Sequence, residues 1–199
     1  MTHKWSHRQW LISCFAVLLS SLDCSAKVCR SNKYPQLVLD ELIMQDAESF
    51  LDEVLDQYHL SINNSFRSRG EQEVLYKKWV RRGKKGNPVA KPGTSRHESG
   101  FAFDLNGLQP LTFIHWNRLL NAGEKHGFCY ILGDWEGKTK LDWPHFEADP
   151  RRFGKTLEQA LQENSGTPRA AISSCDSPSV RTSAPESPQA EPVVTLCPE

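Results

Sequence analysis

The sequence predicts a small single domain of the α+β class, with an antiparallel sheet and flanking helices. Helical periodicity appears before and between strand-like runs, and those runs are few and short. Only 38% of the 199 residues are hydrophobic, which excludes a protein that crosses the membrane several times. The 24 basic and 24 acidic residues balance, which argues against a dedicated nucleic-acid binder.

Three helices are predicted from apolar residues that recur at three- and four-residue spacing. The first covers 36–58 and the second about 71–82. The third opens at 110–112 and runs to about 125, where Gly127 closes it.

Four short strands are predicted between and after these helices, at 60–66, 101–105, 128–132 and 140–146. The second strand alternates most clearly: its aromatic residues share one face, and Ala102 and Asp104 share the other. A loop rich in Gly, Pro and Lys covers 83–96.

Residues 1–26 are typical of a secretory signal peptide. Lys4 and Arg8 precede an apolar run at 11–22, and small residues at 24–26 suit cleavage. The run is too short to span ~30 Å of hydrocarbon as a helix. We therefore expect a secreted or periplasmic protein with no stable membrane span after cleavage. A buried N-terminal helix and an uncleaved anchor are the alternatives.

Residues 166–199 predict a disordered tail, because the segment holds 6 Pro, 6 Ser and no aromatic residue. The working domain is then 27–165. Four cysteines remain after the signal segment, and four cysteines allow three pairings. Pairing Cys29 with Cys129 and Cys175 with Cys197 is the natural first guess.

Charge is unevenly distributed along the predicted domain. Residues 77–91 contain seven bases and no acid. This run can be a solvated helix end with its loop, or it can contact an anionic surface polymer.

Two clusters carry candidate chemistry, SRHESGFAFD at 95–104 and DWPHFE at 142–147. Together they offer two imidazoles and several carboxylates, and a catalytic zinc ion takes three such ligands with one position left open. The HExxH and GxSxG motifs are absent. On the residues alone, a metal site and a pair of hydrogen-bonded core histidines both remain open.

These clusters, as SxHxxGxAxD and DxPHFE, resemble a family of zinc peptidases. The family contains the VanY- and VanX-type D,D-peptidases and the L-alanyl-D-glutamate endopeptidases of phage endolysins and bacilli. An upstream segment, SFRSRGEQ at 65–72, is similar to a third motif of that family. The resemblance spans 65–147 and implies a fold like that of hedgehog and D-Ala-D-Ala peptidases.

The resemblance implies that one Zn²⁺ ion is held by His97, Asp104 and His145. Asp142 then falls at the catalytic carboxylate. Arg67 matches an arginine that binds the developing oxyanion or a substrate carboxylate, and Ser95 supports the site or contacts substrate.

The function implied is an exported zinc metallopeptidase that hydrolyses peptidoglycan stem peptides, acting as a monomer. An aspartate at 142 favours L-alanyl-D-glutamate endopeptidase activity, with D-alanyl-D-alanine carboxypeptidase activity as the alternative. A non-catalytic zinc-containing binding module is the alternative of another class. A glycan-cleaving enzyme that uses Glu71 and Glu73 is a third, which the sequence supports least.

Overall fold

The computed structural model describes residues 27–108, 111–130 and 145–175, and these ranges form the predicted α+β domain. The helices are α1 (Met44–Tyr58), α2 (Arg69–Arg81), α3 (Phe113–Lys125) and α4 (Leu157–Asn164). The strands are β1 (Val28–Arg30), β2 (Val38–Asp40), β3 (Ser61–Asn64), β4 (Ala102–Asn106), β5 (Phe128–Tyr130) and β6 (His145–Ala148).

The central sheet is antiparallel, with the strand order β3-β4-β6-β5. Phe103 of β4 lies opposite Phe146 of β6, and Asp104 lies opposite His145. Because neighbouring side chains on a strand point to opposite faces, these two cross-strand pairs lie on different sides of the sheet. A separate antiparallel pair is formed by β1 and β2.

The hydrophobic core lies on the face that carries Phe103 and Phe146. Phe50 of α1 is fully buried there, with its ring centroid 5.1 Å from that of Phe146 and 6.1 Å from that of Phe103. Phe128 packs edge-on against Phe103 at 5.2 Å. Burial of such large apolar rings supplies much of a small domain's stability. Because the core occupies this face of the sheet, the opposite face, which carries Asp104, is available for a polar site.

The second and third predicted helices are confirmed close to their expected bounds. At the start of α2, Glu71 donates its N–H to the Ser68 hydroxyl, and its carboxylate accepts the Ser68 N–H at 2.8 Å. This capping box satisfies backbone donors that the first helical turn leaves unpaired. The Thr112 side chain caps α3 by accepting the His115 N–H.

The first predicted helix is wrong over its opening residues. Val38–Asp40 forms strand β2, and α1 begins only at Met44. Leu37, Val38 and Leu39 are each completely buried. A run that is buried on both faces of a strand has no alternation, so the residue pattern does not separate it from the helix that follows.

The predicted cysteine pairs are also wrong, because Cys29 forms a disulfide with Cys175. Cys29 lies in β1, and Cys175 follows α4, so the bond joins the two ends of the described fold. The pairing depends on where the chain ends meet in space, which the spacing of the cysteines does not encode.

Residues 166–175, which composition assigned to the disordered tail, are ordered against the domain. Ser174 forms a parallel bridge with Arg30. The Arg169 guanidinium donates to the Glu71 carboxylate and to the Phe66 carbonyl oxygen. The disulfide and these polar contacts hold a segment that is poor in apolar side chains.

The predicted signal segment, 1–26, lies outside the described residues, as does 140–144 of the fourth predicted strand, whose described part begins at His145. No helix in the described ranges is both long enough and apolar enough to cross a bilayer.

Candidate metal centre and active site

Three predicted ligands converge on the polar face of the central sheet. Potential ligand atoms of His97, Asp104 and His145 all lie within 4.8 Å of one another. His97 comes from a short 3-10 turn, Arg96–Ser99, that leads into β4. The other two ligands are direct cross-strand partners, so the sheet register itself sets their separation.

Gly100 makes the tight connection between the His97 turn and β4. Its φ of 78° lies in the left-handed region that glycine tolerates best. A Cβ atom there would lie 3.0 Å from the backbone nitrogen of Asp40 and 2.8 Å from the Val28 side chain. Both the conformation and the packing therefore require glycine at this point, which brings His97 close to the strand that carries Asp104.

Asp104 lies between the two imidazoles. Its Oδ1 atom is 3.3 Å from Nε2 of His97 and 3.1 Å from Nδ1 of His145. The Asn64 amide donates to its other oxygen, Oδ2, at 3.3 Å. One carboxylate oxygen is thus directed at the histidines and the other is held by β3, as suits a ligand that uses a single oxygen.

The charge states reflect this close approach. Burial would raise the pKa of Asp104, but hydrogen bonds and attraction from the two histidines hold it well below its usual range. Burial would likewise lower the pKa of His145, but its bonds to Asp104 and Glu147 raise that pKa to about 9. The centre therefore keeps an ionised carboxylate and strongly favours a cation, either a proton or a metal ion.

A second layer of hydrogen bonds fixes the nitrogen that each imidazole presents. Nδ1 of His97 lies 2.8 Å from the Ser65 carbonyl oxygen, which can only accept a hydrogen bond. Nδ1 therefore carries the proton, and the lone pair of Nε2 can bind a metal ion. Nε2 of His145 lies 3.1 Å from the Glu147 carboxylate, which leaves Nδ1 for metal. Such partners orient ligands and raise their basicity.

Glu147 is itself buried and held. Its carboxylate lies 3.4 Å from Nε of Arg96, and Ala102 is its neighbour across the β4–β6 pair. The small Ala102 side chain leaves room for the carboxylate to reach His145. Sequence reasoning missed this residue, although strand alternation from His145 to Glu147 places the two side chains on one face.

Arg67 lies beside the metal centre. Its backbone N–H donates to the His97 carbonyl oxygen at 3.1 Å, and its Nη1 donates to Oε1 of Gln72 at 2.7 Å. Burial lowers the pKa of Arg67, while the negative charge of Asp104 opposes that shift. A partly desolvated guanidinium of this kind can bind an oxyanion or a carboxylate strongly.

Ser95 and Glu98 shape the loop that precedes His97. Ser95 is buried, and its N–H donates to the Glu98 carboxylate. That carboxylate also accepts the Gly93 N–H at 2.9 Å. Glu98 is thus turned towards the loop, and Ser95 begins the turn that carries the ligand.

One predicted site residue and three further histidines lie apart from this arrangement or outside the described residues. Asp142 lies outside the described residues, so its role as the catalytic carboxylate stays a prediction. His59 caps the C-terminus of α1 in a left-handed conformation, His126 caps α3 and contacts Glu53, and His115 packs against Tyr58. None of these three histidines belongs to the metal-binding cluster found among the described residues.

The donor set fits zinc. Two imidazole nitrogens and one carboxylate oxygen supply three protein ligands, which is the number that catalytic zinc sites use while keeping a position open for water and substrate. The hydrogen-bonded second layer around His97 and His145 is of the kind found around zinc-binding histidines.

Comparison with known proteins found a matching family model and similar solved folds. Residues 36–132 match the family model described as VanY: D-alanyl-D-alanine carboxypeptidase. The fold is similar to VanXYg, a D,D-dipeptidase of vancomycin resistance solved with a D-Ala-D-Ala phosphinate analogue, at 17% identity and a TM-score of 0.50. That match covers 69% of this chain and 64% of VanXYg, so the chain spans less than two thirds of that relative.

Two VanY structures are also similar, each at 20% identity over 69% of this chain. VanYB in complex with D-alanine-D-alanine is covered over 88% of its length, with a TM-score of 0.48. A VanY mutant from a VanB-type resistance cassette, in complex with Zn(II), is covered over 90%, with a TM-score of 0.47.

Proposed function

We propose that the chain is an exported zinc peptidase of the VanY type, whose family model matches residues 36–132, and that it cleaves the stem peptides of peptidoglycan between L-Ala and D-Glu. The observation that carries the proposal is the pre-oriented set of His97, Asp104 and His145 beside Arg67. The signal-like segment at 1–26 supports export.

The chain's own residues divide the catalytic work. His97, Asp104 and His145 would hold the zinc ion. Bound zinc supplies Lewis acidity, which polarises the scissile carbonyl and lowers the pKa of a coordinated water to roughly 7. Asp142 would accept a proton from the attacking water and deliver it to the leaving amine.

Arg67 would stabilise negative charge that develops on the carbonyl oxygen, or bind a carboxylate of the substrate. Its bond to Gln72 holds the guanidinium in place before substrate arrives. Because the arginine is already partly desolvated, little reorganisation is needed when the charge appears.

The choice of bond rests on Asp142. Aspartate at the catalytic position favours the L-alanyl-D-glutamate endopeptidases, whereas many D,D-peptidases of the family have glutamate. The second candidate is D-alanyl-D-alanine carboxypeptidase activity, which the description of the matching family model favours.

Product analysis distinguishes the candidates. The purified protein is incubated with defined muropeptides, with and without a chelator, and the products are identified by mass spectrometry. We expect a peptide that begins with D-Glu, together with a glycan fragment that keeps L-Ala. Release of D-Ala alone supports the carboxypeptidase, and zinc binding without any product supports a binding module.

The variant Asp142→Ala tests the predicted carboxylate. It should lose activity by more than about a hundredfold while keeping its zinc, because general acid–base catalysis typically contributes 10²–10⁴-fold. Full activity in this variant would refute the role of Asp142. Asp149→Ala, which alters an acid outside the metal-binding cluster, is the matched control.

A further inference from the structure

The basic segment, residues 77–91, is a large and uncompensated positive surface. Its basic side chains are all exposed; they are Lys77, Lys78, Arg81, Arg82, Lys84, Lys85 and Lys91. Among the residues that the structure describes, only Lys77 has a carboxylate partner, Glu73 at 2.7 Å. Six neighbouring cations without such a partner repel one another, and they attract anions from solution.

The loop of the basic segment, residues 84–90, is held at both of its ends. The Lys84 N–H donates to the Trp79 carbonyl oxygen at 3.0 Å, and the Lys84 ammonium lies 5.8 Å from the centroid of the Trp79 ring. At the other end, Nε2 of Gln72 donates to the Ala90 carbonyl oxygen at 2.7 Å. These contacts hold the loop against α2 at residues 84 and 90.

Gln72 also links the basic segment to the metal centre. The same buried amide that binds Ala90 accepts a hydrogen bond from Arg67 through Oε1. The segment leads on through the loop to Ser95 and then to the ligand His97. An anion bound along the basic segment would therefore lie on the part of the chain that leads to the metal centre.

The spread of the charges indicates the kind of anion. The cations extend along a helix end and a loop, which suits a ligand whose charges repeat. Phosphodiester groups stay ionised over the pH range in which proteins fold, and lysine commonly binds phosphate as a point charge.

We propose that the basic segment is a docking surface for a linear phosphodiester polymer of the cell envelope, which holds the enzyme next to its peptide substrate. The choice of an envelope polymer rests on the proposed function. The surface itself rests only on the described charges and contacts.

The test measures binding of the full protein to fluorescently labelled poly(glycerol phosphate) by anisotropy, at low and at physiological salt. We expect saturable binding that weakens as salt rises, because neutralising each cation releases counterions. The variant Lys78→Gln/Arg82→Gln/Lys85→Gln/Lys91→Gln, which changes four side chains with no described partner, should bind about tenfold more weakly or worse.

The matched control removes four exposed cations elsewhere, as Lys33→Gln/Arg118→Gln/Lys125→Gln/Arg151→Gln. It should bind within about twofold of the unmodified protein at the same ionic strength. An equal loss in the control, no binding at all, or tighter binding to polyglutamate of equal charge would overturn the proposal. Both variants should cleave soluble muropeptides at the normal rate. Because binding is read without catalysis, absence of peptidase activity would refute the proposed function and leave the docking result intact.

Discussion

The metal centre and the basic segment are linked through Gln72, but their polar groups are arranged in opposite ways. At the centre, His97, His145 and Glu147 are almost wholly buried, and each polar atom discussed has a partner within about 3.5 Å. In the basic segment the charges are exposed and mostly unpaired. The first arrangement fixes geometry to fractions of an ångström, whereas the second creates an attraction that acts at longer range and depends on salt.

This contrast indicates which properties a substitution in each region should change. A change in the buried centre leaves a partner unsatisfied and so alters metal affinity, activity and stability together. A change in the exposed segment alters binding alone, because surface charges contribute little to the free energy of unfolding.

The largest effect is expected from Asp104→Ala. It removes the carboxylate between the two imidazoles, so the protein should lose zinc, and activity should fall by at least about a thousandfold. Metal content by mass spectrometry and muropeptide turnover check this result. Glu73→Ala, on the exposed face of α2, should change neither quantity, and an active, zinc-loaded Asp104→Ala would show that the ligand set is wrong.

A smaller effect is expected from Glu147→Gln. The amide keeps the shape of the side chain but weakens the charge-assisted bond to Nε2 of His145. Zinc affinity should fall by about 10–100-fold, the usual cost of losing an outer-shell partner. Competition with a fluorescent chelator measures the affinity. Unchanged affinity would mean that the bond of 3.1 Å has no part in orienting the ligand.

Gln72→Met tests the connection between the two regions. It should cost about 1–3 kcal/mol in unfolding free energy, because it leaves Arg67 and the Ala90 carbonyl oxygen without their buried partner. Activity should fall as well, since the guanidinium loses its support. Denaturant unfolding and turnover are the measurements. Val74→Met, at an exposed position on the same helix, should stay within about 0.5 kcal/mol.

The smallest effect is expected for the stability of the Glu71→Gln variant at acid pH. Burial would raise the pKa of Glu71, but the Ser68 N–H and Arg169 lower it below the ordinary value of 4.5. A carboxyl with a lowered folded-state pKa stabilises the fold above pH 4.5, and this stabilisation is lost as pH falls through the folded value. Glu71→Gln should therefore make the melting temperature depend less on pH in the acid range. The corresponding change in unfolding free energy should be less than about 1 kcal/mol. An identical acid profile in this variant would contradict the role of the ion pair.

Much of the fold and the ligand cluster could be predicted because local pattern determines them. Alternation in β4 placed Phe103 in the core and Asp104 on the opposite face, and the structure has both arrangements. The helices with clear caps, α2 and α3, were found for the same reason: their start signals lie within a few residues of the chain.

The rest depends on contacts between distant parts of the chain. The carbonyl oxygen that orients His97 belongs to Ser65, 32 residues away, and a backbone atom leaves no mark in a residue pattern. Strand β2 was hidden because both of its faces are buried: Leu37 and Leu39 lie in the main core, and Val38 packs with Val28 and Phe66. The order of residues 166–175 comes from Cys175 and Arg169, whose partners lie elsewhere in the fold.

The disulfide between Cys29 and Cys175 has a mechanical consequence. The two Cα atoms are 4.9 Å apart, although 146 residues of sequence separate them. A pulling force applied through the segments on either side of this bond passes directly from one cysteine to the other along covalent bonds. When the force is applied directly beside the two cysteines, this covalent path bypasses the sheet, its helices and the metal ligands between them.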